Sequence, residues 1–300
     1  FNYINKEAIL ENTNEITQTI ITTINTIFEN LFSSIDNNLY SILDDITFIS
    51  TDILKDKNFE NIFGTTSSNG MLLIANSLLI GFILYFSVKY LLSHILYIKS
   101  DNPSSFIFKL IIFGIAMNFS FFIIQIMLEF ISNISLAIRS IGEELFKKNI
   151  CFSELITTIN NNISINSTSL NIFSIDGLIK STLTISLLNL VFSYSFRYIM
   201  IKILILLSPF SFLCLTLDST KILFKIWLKN LFSLLFIQII VSLVLVLLFS
   251  MDFSSSNLFS KFIYIGGIYA LIKANSFVRE FIGGVSTDIT QNVKNFFVNK

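Results

Sequence analysis

Apolar residues are spaced in two different ways along this chain. In the first part, Ile16, Ile20, Ile21, Ile24, Ile27, Phe28, Leu31, Ile35, Leu39, Ile42, Leu43 and Ile46 recur mostly at three- and four-residue steps. That spacing predicts one apolar stripe on an amphipathic helix or helix pair, with Thr, Asn, Glu and Asp on the opposite face. A stripe of this kind suits a helix lying on a membrane or on the protein's own core. It equally suits an arm that docks a partner, since either role needs one apolar face. Phe63–Gly70 is rich in Gly, Ser, Thr and Asn and reads as a linker.

From residue 71 the pattern becomes continuous. Met71–Val88, Leu110–Leu128 and Leu231–Phe249 are runs of 18 or 19 residues without a charged side chain. A helix rises roughly 1.5 Å per residue, so each run matches a hydrocarbon core roughly 30 Å thick. Between the first two runs, Asp101-Asn102-Pro103 is a break. Residues 129–180 are expected to form a loop, amphipathic over Phe130–Phe146 and irregular over the Asn/Ser-rich Asn160–Ser169. A further span starts near Ser181 and runs through Phe196, where Arg197 is placed near a membrane surface and free to snorkel. Ile203–Leu217 holds Pro209 and is short for a span, so it reads as a continuation, a broken helix or a re-entrant piece. The last apolar stretch, Leu258–Ile272, contains Lys261 and crosses only with local thinning or a tilted neighbour. The expected fold is all-α: a polytopic integral membrane protein with about five transmembrane helices. Residues 1–70 form an extracellular amphipathic helical arm and residues 71–300 the transmembrane domain.

Composition agrees with this reading. Charged residues are 13% of the chain, against about 25% in ordinary soluble domains. Net charge is zero but polarised: residues 1–70 carry −7 and residues 71–300 carry +7. The basic residues flank the apolar runs, so they form no nucleic-acid-binding stripe. Counting them sets orientation. Segments 89–109, 197–229 and 273–300 hold 12 basic residues, while 1–70, 129–180 and 250–261 hold 8 in a longer stretch of chain. The first group is therefore expected in the cytoplasm with the C-terminal tail, and the second outside with the N-terminus. Heavy use of Ile, Asn, Phe, Ser and Lys suggests an AT-rich bacterial genome, and the expected location is the bacterial cytoplasmic (inner) membrane. The chain opens on Phe1, so a leader segment is expected to have been removed or left out.

Candidate chemistry is sparse. Cys151 and Cys214 lie in unlike segments, with no metal-ligand spacing and no expected disulfide. His94, the single histidine, reads as an interfacial residue. Lys221, Lys225 and Lys229 fall at i, i+4, i+8 on one helix face, opposite Leu223, Ile226 and Trp227. Such a face suits anionic lipid, or docks an acidic partner or DNA in transit. Trp227, the single tryptophan, is expected to anchor the helix at the headgroup level. Gly266, Ala270 and Ala274 share the same spacing and let another helix approach, within the subunit or between subunits. Pro209, Gly283 and Gly284 read as hinges. Asn118, Gln125 and Gln238 inside the apolar runs are expected to hydrogen-bond between helices. There is no paired-carboxylate site, nucleophile elbow or nucleotide fingerprint to carry an enzyme reading, and no cofactor is implied.

Three local segments, in the order just described, carry a resemblance. They are Leu206-Leu207-Ser208-Pro209-Phe210, the lone Trp227 ahead of an apolar run, and the stretch from Lys273 through Phe277 and Gly283-Gly284 to Thr287. With an outside arm, two spans, a large outside loop and a three-span half ending inside, the chain resembles the polytopic channel subunit of conjugative type IV secretion systems, the TrbL-type family. The likeness implies a non-enzymatic membrane component of a DNA- or protein-translocating machine. It implies several copies of the chain, other secretion subunits and ATPases as partners, and single-stranded DNA in transit. The rival reading is a small-molecule transporter or permease, which requires a midplane site and often helices broken by Gly or Pro in both halves.

Overall fold

The computed structural model of the chain describes residues 17–27, 42–65, 69–96, 103–162, 175–251 and 258–282. Among them every regular element is helical. Residues 17–27 and 42–47 are helical, and a 3-10 turn covers Thr51–Leu54. The helices that follow are α1 (Lys57–Phe63), α2 (Met71–Ile95), α3 (Pro103–Asn118), α4 (Ser120–Phe146) and α5 (Phe152–Asn162), then α6 (Ile175–Leu206), α7 (Ser208–Leu213), α8 (Lys221–Phe249) and α9 (Leu258–Ile282).

Four helices are long and apolar enough to cross a membrane: α2, α4, α6 from Gly177 onward, and α8. Two more apolar stretches, α3 and residues 262–274 of α9, are shorter. The chain is thus a helical protein of multi-pass membrane type. Burial separates the long helices: α8 is the most enclosed and α2 the least. Along α2 the side chains of Ile80, Leu84 and Leu91 are exposed. In water such a face would be an aggregation site, and in a bilayer it faces lipid.

The structure corrects two expected boundaries. The run Leu110–Leu128 is not one helix, because α3 ends at Asn118 and α4 starts at Ser120. Asn118 Nδ2 donates to its own Gly114 carbonyl at 2.9 Å, a local competition that marks helix ends and bends. The same residue exchanges amide hydrogen bonds with Asn76 of α2 at 3.2 and 3.3 Å. Beyond the break, α4 runs on to Phe146 through residues expected to leave the helix at 129. Ile124, Leu128, Ile131 and Ser135 are buried at helical spacing, which gives this stretch a face to pack despite Glu129 and Arg139. The helix stops at Lys147, whose φ of 57° is left-handed and whose N–H donates to Glu143 O at 2.9 Å.

Residues 203–217 also take a definite form. The first four complete α6, which is 32 residues long, and Leu207 turns the chain. Pro209 sits in the first turn of α7, where a missing N–H costs nothing. Helix α7 is buried over Ser208, Pro209, Ser211, Phe212 and Leu213 and packs against α3, which also packs against α2. It is six residues long and does not cross by itself.

The chain divides into two compact units. In the first (1–45, 142–192 and 244–272), Leu43, Ile150, Phe152, Leu155, Leu190 and Leu248 form the buried core. Asp44 caps α5 by accepting from the N–H groups of Phe152 at 2.8 Å and Ser153 at 3.1 Å. Asp44→Ala is expected to destabilise the protein by about 0.5–2 kcal/mol, the usual loss of an N-cap, read as a lower thermal unfolding midpoint in detergent.

In the second unit (46–141, 193–243 and 273–300), residues 46–65 are built into the helices, and Ile49, Leu54, Phe59 and Phe63 are buried. Phe63 meets Phe121 edge-on with ring centroids 5.0 Å apart. Asp56 lies 3.8 Å from Lys202 of α6, and the Lys202 ammonium also sits 5.4 Å from the Phe59 ring. Residues 46–65 thus lie against α6 rather than standing apart as an arm. The buried side chains of this segment cover the protein's own core.

Candidate functional site

The basic residues at the start of α8 lie where the chain re-enters a helix after α7. Asp218 sits between two lysines: Lys109 of α3 donates to it at 2.8 Å, and Lys221 pairs with it as well. These hydrogen bonds, Lys109 first and Lys221 second, hold the Asp218 carboxyl at about 2, below its ordinary 3.8. A depressed folded-state value stabilises fully above 3.8 and loses that contribution as pH falls to about 2. The unfolding-midpoint gap between the wild type and Asp218→Asn is thus expected to be small, because the group is exposed, and to close across that window.

Lys221 is thereby committed to Asp218, while Lys225 and Lys229 are exposed and have no ion pair among the described residues. Ile222, Leu223 and Ile226 beside them are exposed too. Side by side, free ammonium groups and bare aliphatic side chains suit a boundary between hydrocarbon and headgroups, where lysines keep their heads in water.

Trp227, expected at the headgroup level, is packed inside the protein. It is 6% exposed, and its indole N–H donates to Leu204 O of α6 at 2.8 Å. Its ring packs against Phe212 of α7 at 5.8 Å and Phe224 at 5.6 Å. An indole finds its hydrogen-bond partner wherever it is buried, and here the open carbonyl near the end of α6 supplies one. Trp227 therefore ties α6, α7 and α8 together around the Pro209 turn.

The small-residue stripe on α9 is only partly packed within the chain. Gly266 and Ala270 are exposed and Ala274 is buried. An added Cβ at Gly266 would meet nothing within 4 Å. The close approach is made by its neighbour Gly267, where a Cβ would collide with the side chain of Leu248 in α8. Gly283 and Gly284 lie outside the described residues. His94 stacks on Tyr90 at 6.2 Å, one turn back on α2. Cys151 and Cys214 are both free thiols, and burial pushes that of Cys214 up. Among the described residues no three His, Cys, Asp or Glu side chains could hold a metal.

A buried polar layer in the second unit was hidden from sequence reasoning. Arg197 does not snorkel: it is 0% exposed. Its Nε donates to Leu234 O of α8 at 2.8 Å and its Nη1 to Thr47 O at 3.1 Å. Gln238, one turn beyond Leu234, accepts the N–H of Ile49 on Oε1 at 3.0 Å. The Gln238 carbonyl accepts the hydroxyl of Ser242 at 2.9 Å, and Ser242 Oγ in turn accepts from Ser135 Oγ at 2.7 Å. Gln238 and Asn118 thus bond between elements, as polar residues in apolar runs should. The Gln238 partner, however, is a backbone amide 189 residues away, which no local pattern announces. The guanidinium of Arg139 lies 3.9 Å over the ring of Phe48, the residue between Thr47 and Ile49. Comparison with protein-family models, curated proteins and solved structures gives no match to this chain.

Proposed function

We propose that the chain is a non-enzymatic channel or scaffold subunit of a conjugative type IV secretion machine of the TrbL type, embedded in a bacterial cytoplasmic membrane. The observation that carries the reading is the break at Pro209 followed by the α8 terminus. There Trp227 and Asp218 fix the helix start, and Lys225 and Lys229 stand exposed. A rigid, lysine-bearing helix start suits docking of an acidic ATPase surface or contact with DNA passing through. In this reading α9 is a fifth span and the tail beyond it is cytoplasmic. The first residues and segment 129–180 face outside. Several copies assemble, with Gly266 and Ala270 open to a neighbouring helix. Deleting the gene should abolish transfer of the mobile element. Lys225→Glu with Lys229→Glu should reduce transfer at least about tenfold, since like charges across an interface cost several kcal/mol, with membrane levels unchanged. Unaltered transfer in the deletion strain overturns the proposal. A cysteine introduced at Ser286 should be labelled only from inside and one at Ser167 only from outside.

Arg197 specifically favours a second reading, a small-molecule transporter. An ionisable residue buried within a membrane-spanning helix is a functional-site candidate by default. Substrate uptake by the purified protein in liposomes, lost on substitution of Arg197, would support that reading over the first.

A further inference from the structure

We infer that Arg197, Gln238 and Thr47 form a binding site for a small monovalent anion of the halide class, enclosed within the second unit. All three side chains are 0% exposed. Hydrogen bonds tie the three residues into one layer. Arg197 Nη1 reaches the carbonyl of Thr47, so Nη2 and the Thr47 hydroxyl belong to neighbouring groups. Ile49 N–H holds the Gln238 amide by its oxygen, which turns the amide nitrogen away from that contact. Leu234, which receives Arg197 Nε, is one helical turn from Gln238 on α8.

Arg197 Nη2, Gln238 Nε2 and Thr47 Oγ1 are buried and have no hydrogen-bond partner among the described residues. Together they offer N–H and O–H donors, and the layer's acceptors, the carbonyls of Thr47 and Leu234 and Gln238 Oε1, are already engaged. The charge is equally one-sided. Arg197 makes no ion pair among the described residues, and the one titratable group acting on it is Tyr194, whose ring lies 5.8 Å from the guanidinium. Buried charges are normally paired, because a bare ion in a low-dielectric interior is costly. Surplus donors around an unpaired cation call for an acceptor carrying one negative charge. A water molecule could fill the donors but would leave the charge.

The test uses the purified full chain in detergent. Its thermal unfolding midpoint is followed as chloride replaces gluconate at constant ionic strength. A ligand that binds only the folded state raises the midpoint, here by about 3–5 °C at saturating chloride. Gln238→Glu keeps an oxygen for Ile49 N–H and supplies a carboxylate one turn from Leu234. That variant should gain midpoint in gluconate and lose its response to chloride. Thr47→Val should shift the chloride titration to higher concentration by about tenfold, the loss of one charge-assisted donor. An identical wild-type midpoint in chloride and gluconate overturns the inference in favour of water. A full chloride response retained in Gln238→Glu also overturns it, placing the ion elsewhere. Neither result depends on the secretion reading.

Discussion

Trp227→Ala is expected to lower the stability of the detergent-solubilised protein by about 2–4 kcal/mol. Large aromatic-to-alanine changes in soluble cores cost about 3–5 kcal/mol, a sum of transfer and cavity terms. In a membrane protein the transfer term shrinks, because lipid tails solvate an exposed ring almost as well as the protein interior does. What remains is lost packing and an open hydrogen bond. The indole fills a site walled by Phe212 and Phe224 and is 6% exposed, so its removal leaves a cavity in the angle between α6, α7 and α8. Leu204 O loses its indole donor at the same time. Trp227→Phe separates the two effects. It keeps most of the ring volume and loses the hydrogen bond, so it should cost about 1 kcal/mol plus a smaller cavity term. Thermal or denaturant unfolding of both variants in one detergent measures the difference. Equal, negligible losses would mean that the ring sits at a lipid surface, as its sequence position alone suggests.

Trp227 also shows where sequence reading succeeds and where it stops. That an apolar helix occupies residues 221–249 follows from its composition, because hydrocarbon demands apolar side chains and a satisfied backbone. The same logic finds α2, α6 and the apolar part of α9. It fails at Asn118, since a hydropathy pattern sums apolar content and cannot register that one amide bonds its own Gly114 carbonyl and Asn76. It fails again beyond Leu128, where Glu129 and Arg139 suggest an exit from the helix although a buried stripe continues to Ser135.

Lateral position is the larger gap. In a lipid-embedded helix, side chains facing lipid and side chains facing protein are both apolar, so amphipathic spacing carries little information. Trp227 is placed inward by an open carbonyl on α6. Arg197 is placed inward by carbonyls from α8 and from residue 47, 150 positions away. Gln238 could be recognised as a hydrogen-bonding residue because it is polar in an apolar run. Its partner could not, because the pairing uses a backbone amide in a segment whose own pattern resembles a surface helix. The candidate anion site is built from such long-range pairings, so it became visible only once the fold was known.

Gly70→Ala is expected to be the most damaging of the glycine substitutions, costing about 1–3 kcal/mol for the forced shift of packed structure. Gly64 closes α1 in the left-handed region at φ 97°, and its N–H donates to Glu60 O at 2.9 Å. Gly70 then begins α2 with its backbone against that cap. A Cβ there would lie 2.6 Å from Gly64 Cα, 2.7 Å from Gly64 N and 2.9 Å from Ile62 O. These are all main-chain atoms, so no rotamer change relieves the contact; α1 and the start of α2 must separate. That separation would disturb the packing of Phe63, which is buried against Phe121. Gly81→Ala supplies the control within the same helix. Its added methyl meets nothing within 4 Å, and replacing a helix-interior glycine by alanine removes a propensity penalty of about 0.8–1.0 kcal/mol. The two substitutions should therefore move the unfolding midpoint in opposite directions, Gly70→Ala down and Gly81→Ala up. A neutral Gly70→Ala would show that α1 and α2 are joined less closely than the glycine contact implies.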